Sequence, residues 1–216
     1  DKGVELNEAL LTKMPILFRD PSALKHRFAT CTEDGRIVPL TDVATSLDDA
    51  DGKKAVVLSS AAELSAGEEK SVAALMIDDV KLKLNAGSKI NVGVGDDPAF
   101  VVWNKTYTSG KLPKGNGTID FGAREGVVVI DSRSADYATL PLPFTLAGSG
   151  GVTFISAPEK AYKYLKLTGA NTYSGPTTIN SIRVEPCTYS AFGLGEVHVG
   201  GGERAGGRIY FGTPVT

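Results

Sequence analysis

Asp120, Glu125, Asp131 and Asp136, with Arg124 and Arg133 among them, are the residues from which this chain could assemble a hydrolytic site. Two carboxyl groups held roughly 5–10 Å apart, one with a raised pKa, can protonate a glycosidic oxygen and activate a water or attack the sugar. These acids fall at the ends of short apolar segments, where carboxylates are ordinarily solvated turn residues, so the expectation is that they are not catalytic. His26 belongs to the N-terminal segment. His198 alternates with Val197 and Val199 and should face solvent from a strand. There is no Ser-His-Asp set in a recognisable context, no Gly-x-Ser-x-Gly elbow and no zinc-ligand spacing. Asp48, Asp49 and Asp51 lack the spaced acidic pattern and distal glutamate of a calcium loop and read as a polar turn with Lys53 and Lys54. No catalytic, cofactor-binding or metal-binding residue is therefore assigned, and the chain is expected not to be an enzyme.

Aromatic side chains offer a second kind of chemistry. Trp103, Tyr107, Tyr137, Tyr162, Tyr164, Tyr173 and Tyr189 could form a platform for sugar rings, or could stack with one another inside or along the fold. The second use is the default expectation for any one of them. Cys31 and Cys187 lie far apart in sequence and have neither CxxC nor Cys/His spacing, so they are expected to be unpaired, buried thiols.

The elements that would position these residues are strands. Ala55–Leu58, Val72–Ile77, Val80–Leu84, Ile90–Val94, Phe100–Trp103, Thr118–Phe121 and Val127–Ile130 are short, apolar or alternating, and are separated by Gly, Asn, Asp, Ser or Pro. Val80, Leu82 and Leu84 should point inward, with Lys81 and Lys83 toward water. Leu82–Lys83–Leu84 is echoed by Leu165–Lys166–Leu167, and Gly117–Gly122 by Gly207–Gly212, which favours stacked repeats over a sandwich. Glu5–Phe18 carries Leu6, Ala9, Leu10, Met14 and Leu17 near helical spacing, and reads as a short helix or irregular cap over the first repeat. Its alternative use is as a partner-binding helix.

Composition bounds the rest. A chain of 216 residues with 42% hydrophobic and 22% charged residues can fold as one substantial β domain, and 25 glycines imply many corners. The net charge of −2, without a basic cluster, argues against nucleic acid. No apolar run is long enough for a membrane helix, and no signal sequence opens the chain, so an export signal has been removed or the chain is a piece of something longer.

The stretch Leu165–Asn180 reads as strand, corner, strand, and its wording, Leu-Thr-Gly-Ala-Asn-Thr-Tyr-Ser-Gly-Pro-Thr-Thr-Ile-Asn over Leu167–Asn180, resembles the autotransporter-associated β-strand repeat of bacterial secreted surface proteins. Gly148–Val152 and Gly117–Val127 resemble segments that precede that motif. Two features depart from the family pattern: Pro176 stands where a second glycine is common, and Ser181–Val184 replaces the usual small residue and Gly-Thr-Leu. The resemblance implies a right-handed parallel β-helix. Within it Tyr173 would be a corner-packing residue, while Asn171 and Asn180 read as turn residues whose amides satisfy backbone groups.

The expected organisation is thus an all-β chain: an N-terminal cap and irregular lead-in over residues 1–54, then a β-solenoid over residues 55–216. At about twenty residues per coil the latter would hold about eight coils, a rod of ~40 Å. The expected function is that of a non-catalytic section of an autotransporter-like passenger, secreted or on the bacterial cell surface. It would act as a rigid rod for adhesion or self-association, with glycans or a host or matrix surface as partners and no cofactor. A carbohydrate-active β-helix, lyase-like or hydrolase-like, is the alternative; a plain spacer is the third.

Overall fold

The computed structural model describes residues 16–20, 25–31, 36–104, 109–131, 139–156, 164–200 and 206–211. The chain opens with an antiparallel three-stranded sheet of β1 (Ile16–Asp20), β2 (Lys25–Cys31) and β3 (Ile37–Pro39). The short helix or irregular cap expected over Glu5–Phe18 lies largely outside the described residues, and its last part is corrected: Ile16, Leu17 and Phe18 are strand, paired with Ala29, Phe28 and Arg27. β-Branched and aromatic types in an extended partner's register outweigh a loose helical spacing there.

From Ala55 onward the chain repeats one path. A first pass lays down β4 (Ala55–Leu58), β5 (Ala62–Leu64) and β6 (Glu69–Val72); a second, β7 (Ala74–Asp78), β8 (Leu82–Leu84) and β9 (Lys89–Val92). A third gives β10 (Ala99–Asn104), β11 (Lys114–Gly115) and β12 (Thr118–Asp120); a fourth, β13 (Gly126–Asp131), β14 (Thr139–Leu142) and β15 (Thr145–Ala147). The fifth has β16 (Val152–Ser156) and β17 (Tyr164–Leu167), the sixth β18 (Thr177–Asn180) and β19 (Arg183–Pro186), and β20 (Val197–Val199) and β21 (Arg208–Ile209) follow. Among the described residues there is no α-helix, only the 3-10 turns Leu47–Asp49 and Ser109–Lys111.

Strands in the same place on successive passes pair in parallel. The first strands form a seven-stranded sheet in the order β20-β18-β16-β13-β10-β7-β4; the second strands form β11-β8-β5 and β14-β17-β19-β21; the third form β15-β12-β9-β6. Seven strands replace the eight coils expected, because most passes run longer than twenty residues, and at ~4.8 Å per strand the ladder spans about 29 Å. Val72–Ile77 is two strands, with Val72 closing β6 and Ala74 opening β7 around a corner. Of the two sequence echoes, Leu82–Leu84 and Leu165–Leu167 do occupy corresponding strands. Thr118–Asp120 and Arg208–Ile209 do not: the first belongs to the third position and the second to the second.

Alternation sets the core. Leu58, Ile77, Trp103, Ile130 and Phe154 of the seven-stranded sheet, Leu84, Leu142 and Leu167 of the second-position sheets, and Val92, Ile119 and Leu146 of the third position share one buried cluster. Leu82 and Leu84 are buried as expected, with Lys83 half-exposed between them. One end of this cluster is covered by the chain before β4: Ala44 pairs with Val56, and Ala44 and Leu47 are buried in the cluster.

The opposite face of the seven-stranded sheet is apolar too. Ala55, Ala74, Met76, Val102 and Val129 form a second buried cluster with Phe28, against which Leu40 and Val43 pack. The Leu40 N–H donates to the Phe28 carbonyl at 2.8 Å, extending the β2–β3 ladder, and the chain then meets the seven-stranded sheet where the Ala44 N–H donates to the Ala55 carbonyl at 2.9 Å. The N-terminal sheet therefore lies along a flank of the early passes, and buried apolar residues on both faces give β4, β7, β10 and β13 their continuous apolar wording.

Candidate functional site

Of the carboxylates that the sequence places together, Glu125 and Asp131 are separated by the fold. Asp120 ends β12, and its Oδ1 accepts the Gly122 N–H at 2.8 Å, holding the corner. Glu125 stands just before β13 and accepts the Thr153 hydroxyl at 2.5 Å from the next pass. Asp131 closes the six-residue β13 and is buried, so the length of a strand, about 16–20 Å, separates it from Glu125. A pair at glycosidase spacing is not formed by Glu125 and Asp131. Arg124 lies over the corner glycines: a Cβ at Gly93 would meet its Cδ at 2.6 Å. Asp136 and Arg133 lie outside the described residues.

What the register does assemble is a column the sequence reading missed. Asn104 pairs with Asp78 on one side and with Asp131 on the other, all three on the outward side of the seven-stranded sheet. The Asn104 amide donates to the Met76 sulfur at 3.2 Å. Near one end of the column a cavity of about 280 Å³ opens between the N-terminal sheet and the seven-stranded sheet, its wall including Phe28, Leu40, Val57, Met76 and Asp78. The signal was present as a polar residue closing each apolar run, Asp78, Asn104 and Asp131.

Of the aromatic candidates, Trp103 and Tyr173 are core residues and Tyr189 is exposed, while Tyr107, Tyr137 and Tyr162 lie outside the described residues. Tyr164 is the one placed on a built surface. On β14, β17, β19 and β21, Leu140, Leu165 and Val184 point to the core, so Thr139, Tyr164, Arg183 and Arg208 line one outward column and Pro141, Lys166 and Glu185 the next. The Arg183 guanidinium sits 5.2 Å from the centre of the Tyr164 ring and hydrogen-bonds its hydroxyl. Tyr210 follows β21 and meets Tyr164 edge to face, with centroids 5.8 Å apart. Glu185, only 4% exposed, is bridged by Lys166 at 3.0 Å. The sequence reading named Tyr164 but not the cations, because only the parallel register brings residues from three passes into one patch.

Cys187 is unbridged and half-buried; burial first, and then the Glu185 carboxylate, push its thiol up, while Lys166 opposes them, so it is a protonated thiol rather than a nucleophile. The side chain of Cys31 lies outside the described residues. His198 is exposed on β20. The Asp48–Lys54 turn uses its own acids: Asp51 Oδ1 accepts the N–H groups of Lys53 and Lys54 at 2.8 and 2.9 Å, which hold its carboxyl below the usual range.

The corner after β17 carries the most polar chemistry of the interior. Asn171 is buried; its Oδ1 accepts the Leu146 N–H at 2.9 Å and its Nδ2 donates to the Ala191 carbonyl at 2.6 Å, joining three successive passes. Tyr173, wholly buried, donates to Thr177 Oγ1 at 2.5 Å, and Thr177 donates onward to the Phe192 carbonyl at 2.8 Å. Comparison with known proteins found no matching family model, no matching curated protein and no matching solved structure.

Proposed function

We propose that this chain is a section of a right-handed parallel β-helix, a non-catalytic rod from an autotransporter-like passenger that is secreted or held on the bacterial cell surface and serves adhesion. The observation that carries the reading is the Asn171 bridge. It lies inside the Leu167–Asn180 motif that resembles the autotransporter-associated repeat, and it ties the pass before and the pass after through one side chain. A motif with that job belongs to a stack whose stiffness comes from contacts between neighbouring repeats. Parallel ladders in the three strand positions, with apolar alternates turned to a shared core, supply the same stiffness along the length. Outward side chains are then free to meet a glycan or matrix surface.

The test is to incubate the purified chain with a panel of immobilised polysaccharides and matrix proteins, following retention and, for the polysaccharides, the appearance of new chain ends. Retention without new ends is the expected result. New chain ends that disappear in Asp131→Ala would replace this reading with that of a carbohydrate-active β-helix.

A further inference from the structure

We infer that Asn116 is an acceptor for N-linked glycosylation, taking its sugar from a donor activated as a diphosphate ester. The inference rests on the reading above only in taking the chain to be secreted or held on the cell surface, the setting in which a surface loop is so modified. An acceptor needs an asparagine amide open to solvent and a serine or threonine hydroxyl two residues further on. Of the seven asparagines, two have that spacing, in Asn104–Lys105–Thr106 and Asn116–Gly117–Thr118. The fold divides them. Asn104 is only 2% exposed, and its amide donates to the Met76 sulfur at 3.2 Å. Asn116 is exposed on the corner between β11 and β12, and among the described residues its side chain enters no hydrogen bond.

Two glycines fix that corner. A Cβ at Gly115 would strike the Leu84 carbonyl, and one at Gly117 would meet the Leu84 Cβ at 2.6 Å, so the backbone on both sides of Asn116 is pressed onto the preceding pass. It is held there by the Gly117 N–H, which donates to the Leu84 carbonyl at 3.0 Å, and by the Thr118 N–H, which donates to the Ser88 carbonyl at 2.9 Å. Alternation then brings the amide and the hydroxyl to one side: Gly117 is buried between Asn116 and Thr118, and Ile119 turns to the core. In register with Thr118 stand Thr145 and Lys89, the latter bridged to Glu69 at 3.1 Å. Transfer forms one bond and breaks one. The Asn116 nitrogen attacks the anomeric carbon, the bond from that carbon to the phosphate oxygen breaks, the diphosphate leaves with the electron pair, and the nitrogen's proton passes to a base of the transferase.

The test incubates the whole chain, and synthetic peptides of residues 99–110 and 112–124, with an asparagine-directed glucosyltransferase and UDP-glucose, and reads the modified sites by mass spectrometry of proteolytic fragments. Both peptides are expected to take glucose. The folded chain should take it at Asn116 within about tenfold of the peptide's rate, and at Asn104 about a hundredfold more slowly than the peptide, because a buried amide must wait for local opening. Asn116→Gln should abolish the product at an unchanged melting curve, as should Thr118→Val, which keeps the β-branched shape and loses only the hydroxyl, whereas Thr118→Ser should retain it. A folded chain left bare at Asn116 while its peptide is modified, a 112–124 peptide that takes no sugar, equal rates at Asn104 and Asn116 in the folded chain, or undiminished product in Thr118→Val each overturns the acceptor site. Any of these beside retention on the polysaccharide and matrix panel leaves the adhesive reading standing. Modification at Asn116 without retention supports the acceptor site and removes the adhesive reading.

Discussion

Replacing Asn171 with leucine is expected to lower the unfolding free energy by about 2–5 kcal/mol, seen as a shift of the urea midpoint at unchanged slope. Leucine keeps the branching of asparagine at Cγ but is the bulkier side chain and has none of its hydrogen bonding, so crowding adds to the loss of the bridge. The substitution leaves the Leu146 N–H and the Ala191 carbonyl without the partner that each has in the native fold, in a place water does not reach. Each buried group so stranded costs about 1–3 kcal/mol, and here there are two of them on different passes. The loss should be local in its first effect. Beyond β15 the third strand position is no longer regular strand: the Thr172 N–H reaches the Leu146 carbonyl at 2.9 Å and the Ser174 N–H reaches the Gly148 carbonyl at 3.1 Å. The Asn171 side chain supplies the acceptor that a neighbouring strand would otherwise have supplied to Leu146. Hydrogen exchange should therefore show Leu146 and its neighbours opening before the β4–β13 region does. A change below about 1 kcal/mol would mean that the bridge is dispensable and that the passes are joined by their ladders alone.

The strand positions were largely legible because their apolar runs end in turn residues. Ala55–Leu58 is recovered as written, and Phe100–Trp103 and Val127–Ile130 fall inside slightly longer strands. Corners that carry no glycine or proline were not legible: Ala73 separates β6 from β7 without either, so two strands read as one. A clearer repeat than either quoted echo lies in Leu64–Ser65–Ala66–Gly67 and Leu84–Asn85–Ala86–Gly87. There the same turn recurs one pass later, with Gly67 and Gly87 at φ of 74° stacked on each other. That conformation is open to glycine and strained for most other residues, which is why the pair persists in the wording. The two-sided burial of the seven-stranded sheet was also written in the sequence, since Ala74–Asp78 and Gly126–Asp131 show no polar alternate until their final residue. The patch of Tyr164, Arg183 and Arg208 was not legible, because its members come from three passes and only the register joins them.

Tyr173→Ala should cost about 3–5 kcal/mol, among the largest effects available to a single substitution here. The ring is fully buried in the main core, so truncation removes its packing and opens a void that the neighbouring glycines cannot fill. A Cβ at Gly193 would meet this same ring at 2.7 Å, so the corner is closed around the aromatic face. Tyr173→Phe keeps the ring and removes the donor to Thr177 Oγ1, and should cost only about 0.5–1.5 kcal/mol. The two variants together separate packing from hydrogen bonding. The phenol also carries a pH signature. Burial pushes its pKa from 10 up to about 12, the hydrogen bond with Thr177 drawing it back only in part. In the unfolded chain the same phenol ionises near 10, so its contribution is whole below about pH 10 and is lost as pH rises through 12. That loss is about 2–3 kcal/mol in the wild-type chain and should vanish from the alkaline limb of the stability profile in Tyr173→Phe. In an absorbance titration of the seven tyrosines, one should ionise late and should be missing from the variant. If all the tyrosines of the folded protein ionise together near pH 10, Tyr173 is not the closed corner residue described here, and the Tyr173→Ala cost should fall to that of a surface substitution.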